Sequence, residues 1–144
     1  MKKIFSINHT TKDVDIALLI TRIAIALLML THGIPKMAGL AETPVKFMDV
    51  FGMGAGISLS LAVFAEVICS VLVLVGLGTR LAVIPLIVTM LIAALHVHAG
   101  DPFAKQEMAL HFLLVYVLLF MLGSGKYSFD SLFFKKQKNV LLKK

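Results

Sequence analysis

The sequence predicts an all-α integral membrane protein, a four-helix antiparallel bundle with a short interfacial helix between the first and second spans. Three observations carry that prediction. Of 144 residues, 59% are hydrophobic and only 15% charged, at a mean hydropathy of +0.96, which is too apolar for an ordinary soluble domain and excludes disorder and fibrous repeats. The charges are unevenly placed, with five before Ile16, seven after Gly125 and ten between. That middle stretch holds four apolar runs, three of them close to the roughly 20 residues that cross a hydrocarbon core.

The first run, 16–34, is broken only by Arg22 and small polar residues. Its Met1-Lys2-Lys3 start imitates a signal peptide, but Asn8, His9, Lys12, Asp13 and Asp15 interrupt any apolar h-region, so an uncleaved anchor is expected. Next comes a segment too apolar for a plain loop. Thr43 suits an N-cap, Pro44 the first helical position, Phe47, Met48 and Phe51 share a face, and Gly52 ends the turn. This is the expected interfacial helix, either a lid on the bundle or a connector resting on lipid.

Glu66 sits near the centre of the second run, 57–77, and Gly76-Leu77-Gly78-Thr79-Arg80 then forms a tight turn that makes helices two and three antiparallel neighbours. The third run, 81–99, carries Pro85 in its first turns. The fourth, 108–124, is short, which implies either local thinning of the bilayer or an extension of the helix back through Glu107. With no repeat or linker, 1–144 reads as a single domain ending in a basic tail, 125–144.

Lys and Arg at positions 2, 3, 12, 22, 80, 126, 135, 136, 138, 143 and 144 fall on one side of the membrane, against 36, 46 and 105 on the other. Both termini are therefore expected in the cytoplasm. The formal net charge of +6 gathers beside apolar spans, so the partner it implies is the lipid bilayer and not nucleic acid. A single cysteine, Cys69, excludes an internal disulfide framework, and no phosphate loop, HExxH or CxxC motif is present.

An ionisable group inside a span costs about 2.5–3.5 kcal/mol on insertion scales, so it faces protein and has a partner. Arg22 lies on the stripe Arg22, Ala26, Met29, Gly33, and Glu66 on the stripe Ala62, Glu66, Cys69, Ser70, Val73, both rich in the small residues that let helices approach. Arg22 and Glu66 are thus the first pair to weigh, as a pocket charge or as a structural ion pair. A second constellation gathers toward the opposite leaflet: His32, His96, His98 and His111, with Glu107 one turn before His111 and Lys36 and Asp101 flanking. Four histidines at one depth fit a metal or haem site, hydrogen bonding to a quinone or other carbonyl headgroup, or interfacial packing. On an α-helix His96 and His98 point about 200° apart; His96 continues the stripe Pro85, Thr89, Ala93 and is the expected interior residue. His-x-His is a poor ligand spacing on a helix, so no metal site is assigned and haem is disfavoured.

The residues resemble the DoxX-like small membrane proteins over nearly the whole chain. The resemblance rests on Arg22-Ile23-Ala24, His32-Gly33-Ile34-Pro35-Lys36 closing the first helix, Ala65-Glu66, Gly78-Thr79-Arg80, and Gly123-Ser124-Gly125-Lys126-Tyr127-Ser128 after the fourth. It implies a bacterial inner-membrane bundle, some of whose relatives are subunits of membrane oxidoreductases, including a thiosulfate-to-quinone system. It singles out Arg22, His32, Gly33, Lys36, Glu66, Arg80 and Glu107, and departs at Ile68-Cys69-Ser70, where many relatives carry a glycine pair. The expected function is an oxidoreductase-associated subunit whose pocket takes a quinone-type headgroup. Arg22, Glu66, His32 and Lys36 would be its chemical groups and His96, His111 and Glu107 its ligand contacts. A redox partner protein would supply electrons, no cofactor is covalently bound, and a homo-oligomer stays open. The rival expectation is a membrane scaffold, assembly factor or small-solute carrier.

Overall fold

The computed structural model describes residues 10–133; the basic residues expected before and after them lie outside that range. Four helices long and apolar enough to cross a membrane make up the fold: α1 (Thr11–Gly39), α2 (Ala55–Val75), α3 (Thr79–Val97) and α4 (Phe103–Leu122). No strand occurs among the described residues. They run antiparallel, so one end of the bundle, here the terminal end, holds the start of α1, the α2–α3 turn and the segment after α4. The distal end holds the other two connections.

Polarity is turned inside out relative to a water-soluble core. Leu81, Leu95 and Met121 are 75%, 69% and 66% exposed, whereas Arg22 and Glu66 are each 1% exposed. Apolar side chains facing outward cost nothing in hydrocarbon, and buried charges there are tolerated only with partners.

α1 begins on a capping box, in which the Thr10 hydroxyl accepts from Asp13 N–H while the Asp13 carboxylate accepts from Thr10 N–H. It runs 29 residues, roughly 43 Å at 1.5 Å per residue, and passes through Pro35 to end at Gly39. The apolar run 16–34 therefore understates the helix at both ends. At the terminal end α2 closes on Gly76 in the left-handed region (φ 73°), with Leu77 N–H donating to Leu72 O and Gly76 N–H to Val73 O. Asp130, beyond α4, accepts from Gly78 N–H (2.7 Å) and Thr79 N–H (3.3 Å). Its carboxylate thus caps the start of α3 from a distant part of the chain. α4 starts at Phe103, five residues before the apolar run 108–124, which selects extension through Glu107.

Residues 40–54 form turns and bends without the short helix expected over Thr43–Gly52. Phe51, Gly52 and Gly54 have φ of 58°, 75° and 88°, which a right-handed helix cannot contain. The segment's donors go elsewhere: Val50 N–H to Ser58 Oγ at 3.0 Å and Gly54 N–H to Asp49 Oδ1 at 2.7 Å.

Two π-helical segments interrupt the spans, Phe64–Cys69 in α2 and Ala93–Val97 in α3. Each inserts a residue into the helical register and turns the following side chains to a new azimuth. Gly33 fits α1 against the first of them; a Cβ there would come 2.8 Å from Val67 Cγ2 and 2.9 Å from the Glu66 carbonyl. Gly33→Ala is expected to cost about 1–3 kcal/mol by overpacking. Gly76→Ala should cost more, since its Cβ would overlap the Arg22 guanidinium on a left-handed backbone. Thermal unfolding in detergent orders the two variants; equal midpoints would contradict the packing described.

Candidate functional site

Arg22 and Glu66 do not meet. Arg22 turns to the terminal end, where Nη1 donates to Val73 O at 3.4 Å and Nη2 to Tyr127 O. The guanidinium thereby ties α1 to the end of α2 and to the segment after α4, and Asp130 supplies the charge that faces it. Arg80 makes a similar tie, from Nη2 to Met121 O at 3.1 Å. Both arginines donate to backbone carbonyls near helix ends at this side of the bundle, Val73 O for Arg22 and Met121 O for Arg80.

Glu66 is instead reached from the distal end. Lys36 Nζ lies 2.5 Å from Glu66 Oε1, with side-chain exposures of 34% and 2%. The pair exists because α1 remains helical past Pro35, so that Lys36 falls three residues beyond Gly33 on the same stripe. Glu66 is carried inward by the π segment, where Ala65, Glu66 and Val67 are all buried in succession.

A cavity of about 270 Å³ opens beside this pair. Its polar lining is His32 and Lys36 from α1, Glu66 from α2, His98 at the end of α3 and Lys105 from α4, and its apolar lining includes Met29, Met90, Met108 and Phe112. The His32 ring meets Phe112 edge-on at 5.8 Å. Of the residues expected from sequence, His32, Lys36 and Glu66 are brought together here, whereas Arg22, His96, His111 and Glu107 are not. His96 is exposed, its ring 4.8 Å from that of Phe51, and Glu107 and His111 face outward from α4.

The exchange of His96 for His98 follows from the second π segment. His98 N–H donates to Ala93 O, five residues back, so the face that carries Ala93 continues at His98 rather than at His96. At the rim, His98 Nδ1 lies 2.8 Å from Asp101 Oδ2, Lys105 Nζ lies 3.4 Å from Asp101 Oδ1, and Gln106 Nε2 donates to His98 O at 2.8 Å. The His98 hydrogen bond, helped by Lys105, holds the Asp101 carboxyl below the usual aspartate range. No group of three or more metal-ligating side chains is found among the described residues.

The sequence profile of the DoxX family matches residues 17–99, more than half of the chain. The chain belongs to the DoxX family. Within this DoxX chain the match covers Arg22, Lys36, Glu66 and His98, while the α4 wall of the cavity lies beyond it. A Bacillus subtilis (strain 168) protein described as "Putative oxidoreductase CatD" is 29% identical over 129 residues, spanning 89% of this chain and 95% of its own length. No solved structure matches.

Breaking a buried ion pair costs about 3–5 kcal/mol, because one charge is left without its partner. Lys36→Met is expected at the lower end of that range, since Lys36 is one-third exposed, and adding Glu66→Gln should recover most of the loss. Chemical or thermal unfolding of the single and double variants checks this; additive losses would mean that the two side chains are not coupled. Asp101 gives a pH signature. With its folded pKa depressed, its contribution is complete above the ordinary value near 3.9 and is lost as pH falls through the lower folded value. Wild type and Asp101→Asn should therefore differ in unfolding midpoint at pH 6 and converge toward pH 3.

Proposed function

We propose that the chain is a multi-pass subunit of the bacterial inner membrane, associated with an oxidoreductase, whose distal cavity takes the headgroup of a quinone-type ligand. One observation carries this reading: a mostly apolar slot of ring-binding size whose most deeply buried polar lining is Glu66, ion-paired with Lys36. Met29, Met90 and Phe112 offer apolar contact to a flat ring. The Lys36 ammonium donates a charge-assisted hydrogen bond to a ring carbonyl oxygen. Glu66, ionised on the same ammonium, takes up the proton that this oxygen releases when a quinol is oxidised, and returns it in the reverse direction.

Converting a quinone to a quinol takes up two electrons and two protons. His32 and His98 at the mouth serve the second oxygen, one by its exposed ring and the other through its tie to Asp101. With Cys69 as the single cysteine the chain offers no dithiol of its own, so the electrons come from a partner redox protein. The oxidoreductase name of the Bacillus subtilis relative supports the reading. Counted over the whole sequence, eleven Lys and Arg fall on the side of the termini against Lys36, Lys46 and Lys105 on the other, which favours cytoplasmic termini and a cavity at the outer leaflet.

The test is a titration of the detergent-purified chain with short-tailed benzoquinone and naphthoquinone, read as a shift in thermal midpoint. Wild type should be stabilised, and Glu66→Gln and Lys36→Met should bind about tenfold to a hundredfold more weakly, the equivalent of one charge-assisted hydrogen bond. His96→Ala, Glu107→Gln and His111→Ala, whose side chains lie outside the cavity, should bind as wild type does. No quinone-dependent shift in wild type would overturn the proposal and favour the scaffold or carrier reading.

A further inference from the structure

At the terminal end, away from the distal cavity, a groove of about 470 Å³ runs between the start of α3 and the segment after α4. Arg80, Ser124, Asp130 and Ser131 form its polar wall, and Leu81 and Leu122 its apolar one. These residues mark helix ends: Arg80 and Leu81 lie in the first turn of α3, and Leu122 is the last residue of α4. The groove therefore sits where a span leaves hydrocarbon and meets headgroups. Leu81 and Leu122 are both exposed, so apolar surface faces outward directly beside the polar wall.

Arg80 is the cation that this end leaves without a counter-charge. Among the described residues its guanidinium makes one hydrogen bond, to Met121 O, and no ion pair. It is nonetheless held in place, since a Cβ on Gly123 would lie 3.4 Å from Arg80 Nε, and the guanidinium uses the space that this glycine leaves. Asp130, in the same wall, is already engaged: its oxygens accept from Gly78 and Thr79 N–H, and its charge faces Arg22. Arg22 and Arg80 against Asp130 leave one positive charge, while Lys126 and Asp15, beside Gly125, cancel in the count. The N–H groups of Ser124 and Gly125, which also line the groove, have no acceptor among the described residues. A positioned guanidinium fork with spare donors suits phosphate oxygens.

We propose that this groove holds one anionic phospholipid, its phosphate on Arg80 and its acyl chains along Leu81 and Leu122. The surplus positive charge selects a headgroup of net negative charge, because a zwitterionic one would bring its ammonium toward the same surplus. The bound lipid bridges the start of α3 and the segment after α4, the two elements that Asp130 already joins. The site is independent of the quinone reading.

Native mass spectrometry of the full chain tests it, with dioleoyl phosphatidylglycerol, dioleoyl phosphatidylcholine, dioleoylglycerol or glycerol 3-phosphate added to the detergent solution. One phosphatidylglycerol per chain should be retained, about tenfold more tightly than phosphatidylcholine or dioleoylglycerol, and glycerol 3-phosphate should bind more weakly still. Arg80→Gln should lose about tenfold in affinity for phosphatidylglycerol. Leu81→Asp should lose affinity as well; an acidic residue suits the first turn of a helix, so the fold is kept while its charge opposes the phosphate. Lys46→Gln, exposed at the distal end, should bind as wild type does. Thermal midpoints without lipid show that the variants are folded. Equal retention of the three lipids, or unchanged affinity in both Arg80→Gln and Leu81→Asp, would overturn the site. So would an equal loss in Lys46→Gln, which would mean general attraction to charge. Glycerol 3-phosphate binding as tightly as the lipid would overturn the lipid as occupant.

Discussion

In a hydrocarbon slab, a charged side chain must be met by polar groups from its own chain, and in this bundle that constraint is satisfied twice, at opposite ends. Arg22 is met at the terminal end by carbonyl oxygens of Val73 and Tyr127 and by the field of Asp130. Glu66 is met from the distal end by Lys36. Between the two lies a continuous packed core of apolar side chains, Met29, Val73, Leu86 and Tyr116 among them. The terminal end is consequently a latch made of helix-end carbonyls, caps and arginines. Only at the distal end does a polar pair stand beside open space.

The π-helical segments lie in the middle of α2 and at the distal end of α3, and each aims a polar side chain at the cavity, Glu66 in one case and His98, just past the segment's end, in the other. An extra residue in a helical turn weakens regular packing, and such insertions are frequent at functional sites. Gly33 shows how closely the surroundings fit this irregularity, since α1 rests directly on the Glu66 backbone at that point.

Much of the architecture was legible in the sequence because hydropathy and the spacing of small residues are local signals. The four runs, the Gly76–Arg80 turn and the buried stripe through Arg22, Ala26, Met29 and Gly33 all reappear as helices, a left-handed cap and a core face. The site was legible only in part. Arg22 and Glu66 do not pair because α1 runs past Pro35 and delivers Lys36 to Glu66 from the other end. Following the stripe one step beyond Gly33 would have found it. His98 was out of reach for a different reason: assigning it to the exterior assumes 3.6 residues per turn, and nothing in Ala93-Ala94-Leu95-His96-Val97 announces a π segment.

Asp130 and the Tyr127 carbonyl come late in the chain, yet they complete structures built from its earlier parts, the cap on α3 and the seat of Arg22. This sets an order of assembly. As the chain leaves the ribosome, the first three spans can enter the bilayer with the α2–α3 turn formed, but the α3 start and the Arg22 guanidinium still lack their final partners. Those arrive only when the residues after α4 have been synthesised and have folded back under the bundle. A chain that stops before Tyr127 would therefore leave both Arg22 Nη2 and the start of α3 without these late-arriving partners.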